Sequence, residues 1–239
     1  KGRVKMEISD ANGEVIRTRY FTPDQGLNRV YWGFETDGVR RPGQRKPTGE
    51  EVTPPGGYDA LPGTYTVKLT YNGTSASGTL NLLKDERVEW DMPALEEKQR
   101  FITQYNALVT EMTEAVDRLT EAQQIVSRVE VLDEDNEELR KKSGQVKKEL
   151  AALRELIFEK PVQGFRSDPN AISNQLGNLR SKIGGSYDPL SQAAQYAYSN
   201  VSKNWQPVLQ RINDFFNNEW VAYKSFVEGL NLELVKGFN

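Results

Sequence analysis

The chain has 239 residues, 31 Lys plus Arg, 34 Asp plus Glu, no His and no Cys. This composition excludes a thiolate nucleophile, a disulfide, a Cys/His zinc site and a Ser-His-Asp triad. The formal net charge of -3 argues against nucleic acid as the main partner, which calls for a basic stripe, and the short apolar runs predict no membrane span.

The opening Lys1-Gly2-Arg3 carries no initiator Met, basic n-region or apolar h-region, so the chain reads as a fragment of a longer protein or a processed product. Absence of Cys fits an exported bacterial protein and a cytosolic one equally. Composition changes near residue 92. Residues 1–92 hold 13 basic and 13 acidic residues and six of the eleven Pro, whereas the remainder is rich in Leu, Glu, Gln, Asn and Ala. The shift predicts two domains, 1–92 and 93–239.

The first domain alternates with period two. Val4, Met6 and Ile8 share one face. Asn12-Gly13 predicts a type I′ hairpin turn, with Ile16, Thr18 and Tyr20 lining the return strand. Val30, Trp32 and Phe34 alternate again, which places Trp32 in a core. The clearest strand has Tyr65, Val67, Leu69 and Tyr71 on one side and Thr64, Thr66, Lys68 and Thr70 on the other; Asn72-Gly73 then turns the chain back through Leu80 and Leu82. About five or six strands at this spacing predict a β-sandwich. Between Thr36 and Pro62 the periodicity lapses in a Pro- and Gly-dense stretch that includes Arg40, Arg41, Arg45 and Lys46. It is a functional loop, an insert, or the site of short edge strands.

The second domain has a period near 3.5, with Ile102, Tyr105, Leu108, Met112, Leu119, Ala122 and Val126 in one stripe. The spacing predicts a helix over 94–129, roughly 50 Å long, with Pro93 in its first turn. A second stripe, Leu139, Val146, Leu150, Leu153 and Ile157, follows an acidic run in which Asp135 and Glu138 form a capping pair; Pro161 follows its end. Ser167-Asp168-Pro169 and Tyr187-Asp188-Pro189 both read as helix starts with Asp at the N-cap. The first precedes Ile172, Leu176, Leu179 and Ile183 and is stopped by Gly184-Gly185. The second precedes Tyr198, Val201, Trp205, Val208, Ile212 and Phe215, with Phe216, Trp220, Val227 and Leu234 widening the apolar face. Pro207 predicts a kink or break near residue 204. Short connections predict an antiparallel bundle of three to four helices. The heptad-like spacing also admits self-association as a coiled coil.

Candidate chemistry is sparse, and no motif calls for a cofactor. Glu35 with Asp37, and Asp85 or Glu86 with Glu89 or Asp91, are carboxylate pairs of the kind glycoside hydrolysis uses, yet neither sits in a motif that would raise one pKa. The run Asp133 to Glu138 fails as a calcium loop because Glu138 stands where Gly is needed. Trp90, at the predicted junction, is a candidate for joining the two halves, and Arg40, Arg41 and Arg45 are candidate interface residues. Trp32, Tyr65, Trp205 and Trp220 are read as structural core. Asn72-Gly73-Thr74 and Asn200-Val201-Ser202 match the glycosylation pattern, which is frequent by chance.

Three segments in order, Gly26-Leu27-Asn28-Arg29-Val30-Tyr31-Trp32, Leu61-Pro62-Gly63-Thr64-Tyr65-Thr66-Val67-Lys68-Leu69 and Lys84-Asp85-Glu86-Arg87-Val88, carry a resemblance. They are similar to the C-terminal region of exported bacterial proteins, of Bacteroidetes type, that bear sortilin-like or BNR-type β-propellers and are labelled glycosyl hydrolase-like. Gly185-Ser186-Tyr187-Asp188-Pro189 resembles the start of the last tail helix there. The family pattern has Asp after the Trp and Pro before the Arg, where this chain has Gly33 and Glu86. The resemblance implies an Ig-like domain of flagellar hook-capping type followed by a helical tail, in an exported multidomain parent whose hydrolase activity would belong to the propeller. The overall expectation is an α+β multidomain chain with a non-catalytic accessory role, docking a further domain or another protein. The alternative is a carbohydrate-binding module using the 36–62 loop or exposed aromatics.

Overall fold

A computed structural model describes residues 2–159, 168–184 and 187–230. The sequence features at Pro161, Ser167, Gly185, Ser186 and Leu234 lie outside them. The fold mixes antiparallel sheet and helix. Among the described residues six strands come first, β1 (Val4–Ser9), β2 (Val15–Phe21), β3 (Glu35–Asp37), β4 (Gly56–Asp59), β5 (Gly63–Tyr71) and β6 (Thr74–Leu82), and five helices follow, α1 (Met92–Leu132), α2 (Glu137–Glu155), α3 (Ile172–Ile183), α4 (Gln192–Asn217) and α5 (Glu219–Glu228). The chain forms two compact units, one of residues 1–110 with 183–191, the other of 111–182 with 192–239. Helix α1 contributes its first part to one unit and the rest to the other.

In the first unit, the larger sheet has the order β2-β1-β5-β6, and β3 pairs with β4 in a separate two-stranded sheet. Cross-strand pairs fix the faces. Met6 lies opposite Arg19 and Leu69, and Ile8 opposite Arg17 and Val67. Paired residues share a face, so Val4, Met6, Ile8, Tyr65, Val67, Leu69 and Tyr71 line one side and Lys5, Glu7, Thr64, Thr66 and Lys68 the other. Met6, Ile8, Ala60 and Tyr65 are the buried centre, with Ile16, Phe21, Trp32, Val67 and Leu82 packed around it.

Several expectations change here. At the first hairpin only Gly13 has positive φ (83°), while Asn12 does not, so the turn is not type I′. Instead Asp10 accepts the N–H groups of Asn12 and Glu14, both at 2.9 Å. The register then shifts between Ile8 and Ser9. One extra residue on β2 turns every later side chain over. Hence Arg17, Arg19 and Phe21, not Thr18 and Tyr20, share the face of Met6. Residues 30–33 form no strand, and Phe34 has φ 61°, which ends that alternation. The 36–62 stretch carries the β3–β4 pair at its ends. At the second hairpin Asn72 and Gly73 both have positive φ (47° and 80°), as an Asn-Gly type I′ turn requires.

In the second unit the core is deep. Leu119, Val126, Leu139, Leu150, Ile157, Leu179, Trp205 and Ile212 are fully buried. The cap of α2 is Asn136, whose side chain accepts the Leu139 N–H at 3.0 Å, rather than Asp135. Asp168 makes a turn through Asn170 and Ala171, and α3 starts only at Ile172. Likewise Asp188 precedes the start of α4 by several residues. Pro207 sits inside a helix that runs on to Asn217, so of the expected kink or break near 204 the break does not occur. The long final stretch instead divides at Asn218.

Candidate functional site

Arg17, unremarked in the sequence, organises the first unit. The bulge turns it inward, where only 5 % of its surface is exposed. Its Nη1 donates to Asp37 Oδ1 at 2.7 Å and to the Pro54 and Pro55 carbonyls at 2.9 and 3.2 Å, while Nη2 lies 3.1 Å from Glu35 Oε1. Its Nε has no hydrogen-bond partner among the described residues. The candidate pair Glu35 and Asp37 is thus engaged as counter-ions to one guanidinium. Asp37 also accepts the Thr18 N–H through both oxygens at 3.1 Å, and Thr53 Oγ1 accepts the Tyr20 N–H at 2.9 Å. Side chains of the 36–62 stretch therefore occupy the free edge of β2.

In the second set of carboxylates, Asp85 and Asp91 have structural partners. Asp85 takes two bonds from the Arg87 side chain, at 2.9 and 2.7 Å, and these together with the Arg87 backbone N–H hold its carboxyl below the usual range. Asp91 caps α1 by accepting the Ala94 N–H at 3.1 Å.

Where α1 begins, Asp59 and Lys98 face a cavity of about 20 Å³ lined also by Tyr58, Leu95 and Tyr187. That volume has room for a single water. Burial pushes the Asp59 carboxyl up, an effect that the Lys98 charge opposes. Burial pushes the Lys98 amine down, against the charges of Asp188 and Asp59. Lys98 Nζ donates to the Asp188 carbonyl at 3.1 Å. Lys98 thus ties Asp188 to the first turns of α1.

The aromatic residues distribute as follows. Trp32 is half-buried, edge-on to Tyr65 (5.3 Å between ring centres), and donates its indole N–H to the Glu35 carbonyl at 2.8 Å. Tyr65 is buried and its hydroxyl donates to the Leu61 carbonyl. Trp90 packs on Tyr187 at 4.4 Å and donates to the Asp85 carbonyl at 2.9 Å, all within the first unit. Trp205 is fully buried with its N–H on Glu111; Trp220 is half-buried between Phe216 and Tyr223. Arg41 and Arg45 are exposed, and Arg40 donates to the Gln44 carbonyl at 2.7 Å.

The apolar face of the sheet is covered at one end only. Around Tyr65 it is closed by Trp32 and Ala60. Toward the β5–β6 turn, Leu69 and Tyr71 remain 41 % and 38 % exposed. With Val4, Pro23 and Ala76 they line an open groove of about 680 Å³. Leu27 and Tyr31 are also exposed. Among the described residues no group of three or more Asp or Glu is placed to hold a metal, and no helix is long and apolar enough to cross a membrane. Comparison with protein-family models, curated proteins and solved structures finds no match for the chain.

Proposed function

We propose that the chain is a non-catalytic accessory region of a larger exported protein, which supports or docks a further domain or mediates protein contacts. On this reading the two sheets of the first unit form a small Ig-like sandwich and the helices of the second an antiparallel bundle. The carrying observation is the half-open apolar face, with Leu69, Tyr71 and Val4 around an uncovered groove. Contiguous exposed apolar surface marks interaction sites. In the full product of the gene, Leu69→Glu with Tyr71→Glu is expected to lower the melting temperature more than in the isolated chain, because the larger protein loses a docked contact. Equal shifts in the two would overturn the reading, as would saturable turnover of chromogenic glycosides by the isolated chain.

One observation favours carbohydrate binding as a second reading. Between α3 and α4 lies a groove of about 680 Å³ lined by Gln175, Asn178, Asn200, Asn204 and the exposed ring of Tyr196. Carboxamides and a flat aromatic suit neutral hydroxylated ligands. A glycan-array signal lost in Tyr196→Ala would establish it over the accessory reading.

A further inference from the structure

The two edges of the larger sheet are treated differently. The β2 edge is occupied by Asp37 and Thr53, and Arg3 donates to the Tyr20 carbonyl at 2.8 Å. The other edge is β6, which among the described residues pairs with β5 alone. Edge strands are normally protected by charge, Pro or a bulge. β6, Thr-Ser-Ala-Ser-Gly-Thr-Leu-Asn-Leu, has no charged residue and no Pro, and its pairing with β5 is in unbroken register from Tyr71↔Thr74 to Gly63↔Leu82.

The hairpin dictates which groups are free. In a two-residue turn the closing pair, Tyr71 and Thr74, exchanges its backbone bonds. Bonded and non-bonded pairs then alternate, so Thr74, Ala76, Gly78, Leu80 and Leu82 face β5. The N–H and C=O groups of Ser75, Ser77, Thr79 and Asn81 turn outward.

We infer that β6 pairs with β6 of a second copy of this chain, antiparallel about Gly78. The occupant is identified by the strand's fit to its own reverse. In that register Ser77 meets Thr79 and Ser75 meets Asn81, so every outward N–H and C=O of these four residues finds a partner and each of these four polar side chains a polar neighbour. On the other face Leu80 meets Ala76 and Leu82 meets Thr74, large against small. The twofold axis keeps both apolar faces on one side of a continuous eight-stranded sheet. Leu80 and Leu82 of the second copy then reach the mouth of the groove formed by Leu69, Tyr71 and Ala76. The absence of charge on β6 removes the like-charge repulsion that self-pairing would otherwise impose. This pairing does not rest on the accessory reading, although both draw on the surface at Leu69 and Tyr71.

The test uses the whole chain, which has no cysteine of its own. Light scattering across the micromolar range is expected to show mass rising from one chain toward two. Gly78→Cys is expected to give a covalent dimer under mild oxidation, because Gly78 meets its own copy at a non-bonded position and a Cβ there enters open space. Thr74→Cys, which meets Leu82 instead, is expected to cross-link at least tenfold more slowly. Ser77→Pro removes an outward N–H without touching the β5 ladder and is expected to hold the chain monomeric with unchanged circular dichroism. A chain monomeric throughout the range, or Gly78→Cys cross-linking no faster than Thr74→Cys, would overturn the pairing. The cysteine comparison decides the matter even if Ser77→Pro does not fold.

Discussion

The two units solve the same problem with different materials. The helical unit buries a continuous set of large side chains, from Leu119 and Val126 through Leu139, Leu150 and Leu179 to Trp205 and Ile212. In the other unit the sheet and its cover bury only the apolar residues Val4, Met6, Ile8, Ala60 and Tyr65 and hold their irregular covering with polar clamps, Arg17 above all. Apolar burial is non-directional and tolerates drift, whereas a guanidinium with four oxygen partners does not. A small layer with one apolar face thus gains order from charge and hydrogen bonding where it lacks volume.

The contrast can be tested by removing one element from each side. The largest effect is expected for Trp205→Ala. Emptying a fully buried indole site costs about 3–5 kcal/mol, and denaturant titration by circular dichroism should show the loss in the helical signal. Arg17→Met comes next, at about 2–4 kcal/mol. It strands Glu35, Asp37 and two proline carbonyls, and limited proteolysis should find new cleavage between residues 38 and 55. If Arg17→Met were as mild as a surface change, the clamp would not be what orders this layer.

The sequence conveyed the strong periodicities and missed what depended on single residues. The α1 and α2 stripes were legible because many buried positions repeat one spacing, so no single residue decides the outcome; α1 was expected at 94–129 and spans Met92–Leu132. The Asn72-Gly73 hairpin was legible because both positions need positive φ. At Asn12-Gly13 the same dipeptide builds a different turn, since Asp10 supplies competing side-chain bonds. The resulting bulge inverted the reading of β2 and hid Arg17, for a bulge leaves no mark in hydrophobic spacing. A basic residue two beyond a strand's start, followed by acidic ones eighteen and twenty residues on, was the only trace of the clamp. The β3 and β4 strands were too short to show a period. The Asp-Pro pairs at 168 and 188 pointed to the right neighbourhoods but mark turns ahead of the helices.

Smaller effects sharpen the comparison. Tyr223→Phe removes the 2.8 Å hydrogen bond between Tyr223 and buried Ser143, and about 1–2 kcal/mol should be lost from the helical unit alone. The smallest effect is expected at Asp59. Its folded pKa lies above the ordinary 3.8 because burial disfavours the charge. Its contribution to stability is therefore full below 3.8 and is lost as pH rises through the folded value. Asp59→Asn should flatten that decline, and melting temperatures of the two proteins between pH 3 and 7 should converge at the acid end and separate at the neutral end. A constant offset across the range would show that the carboxyl's titration has no part in it.

The first unit is not contiguous in the chain. Tyr187 and Asp188, which meet Trp90 and Lys98, are translated roughly ninety residues after their partners. On the ribosome the first unit therefore emerges with these contacts to Trp90 and Lys98 still unmade, and it cannot be finished until most of the helical segment has been translated. Nascent chains arrested before residue 187 should expose Trp90, which gives chaperones and proteases their longest opportunity at that seam.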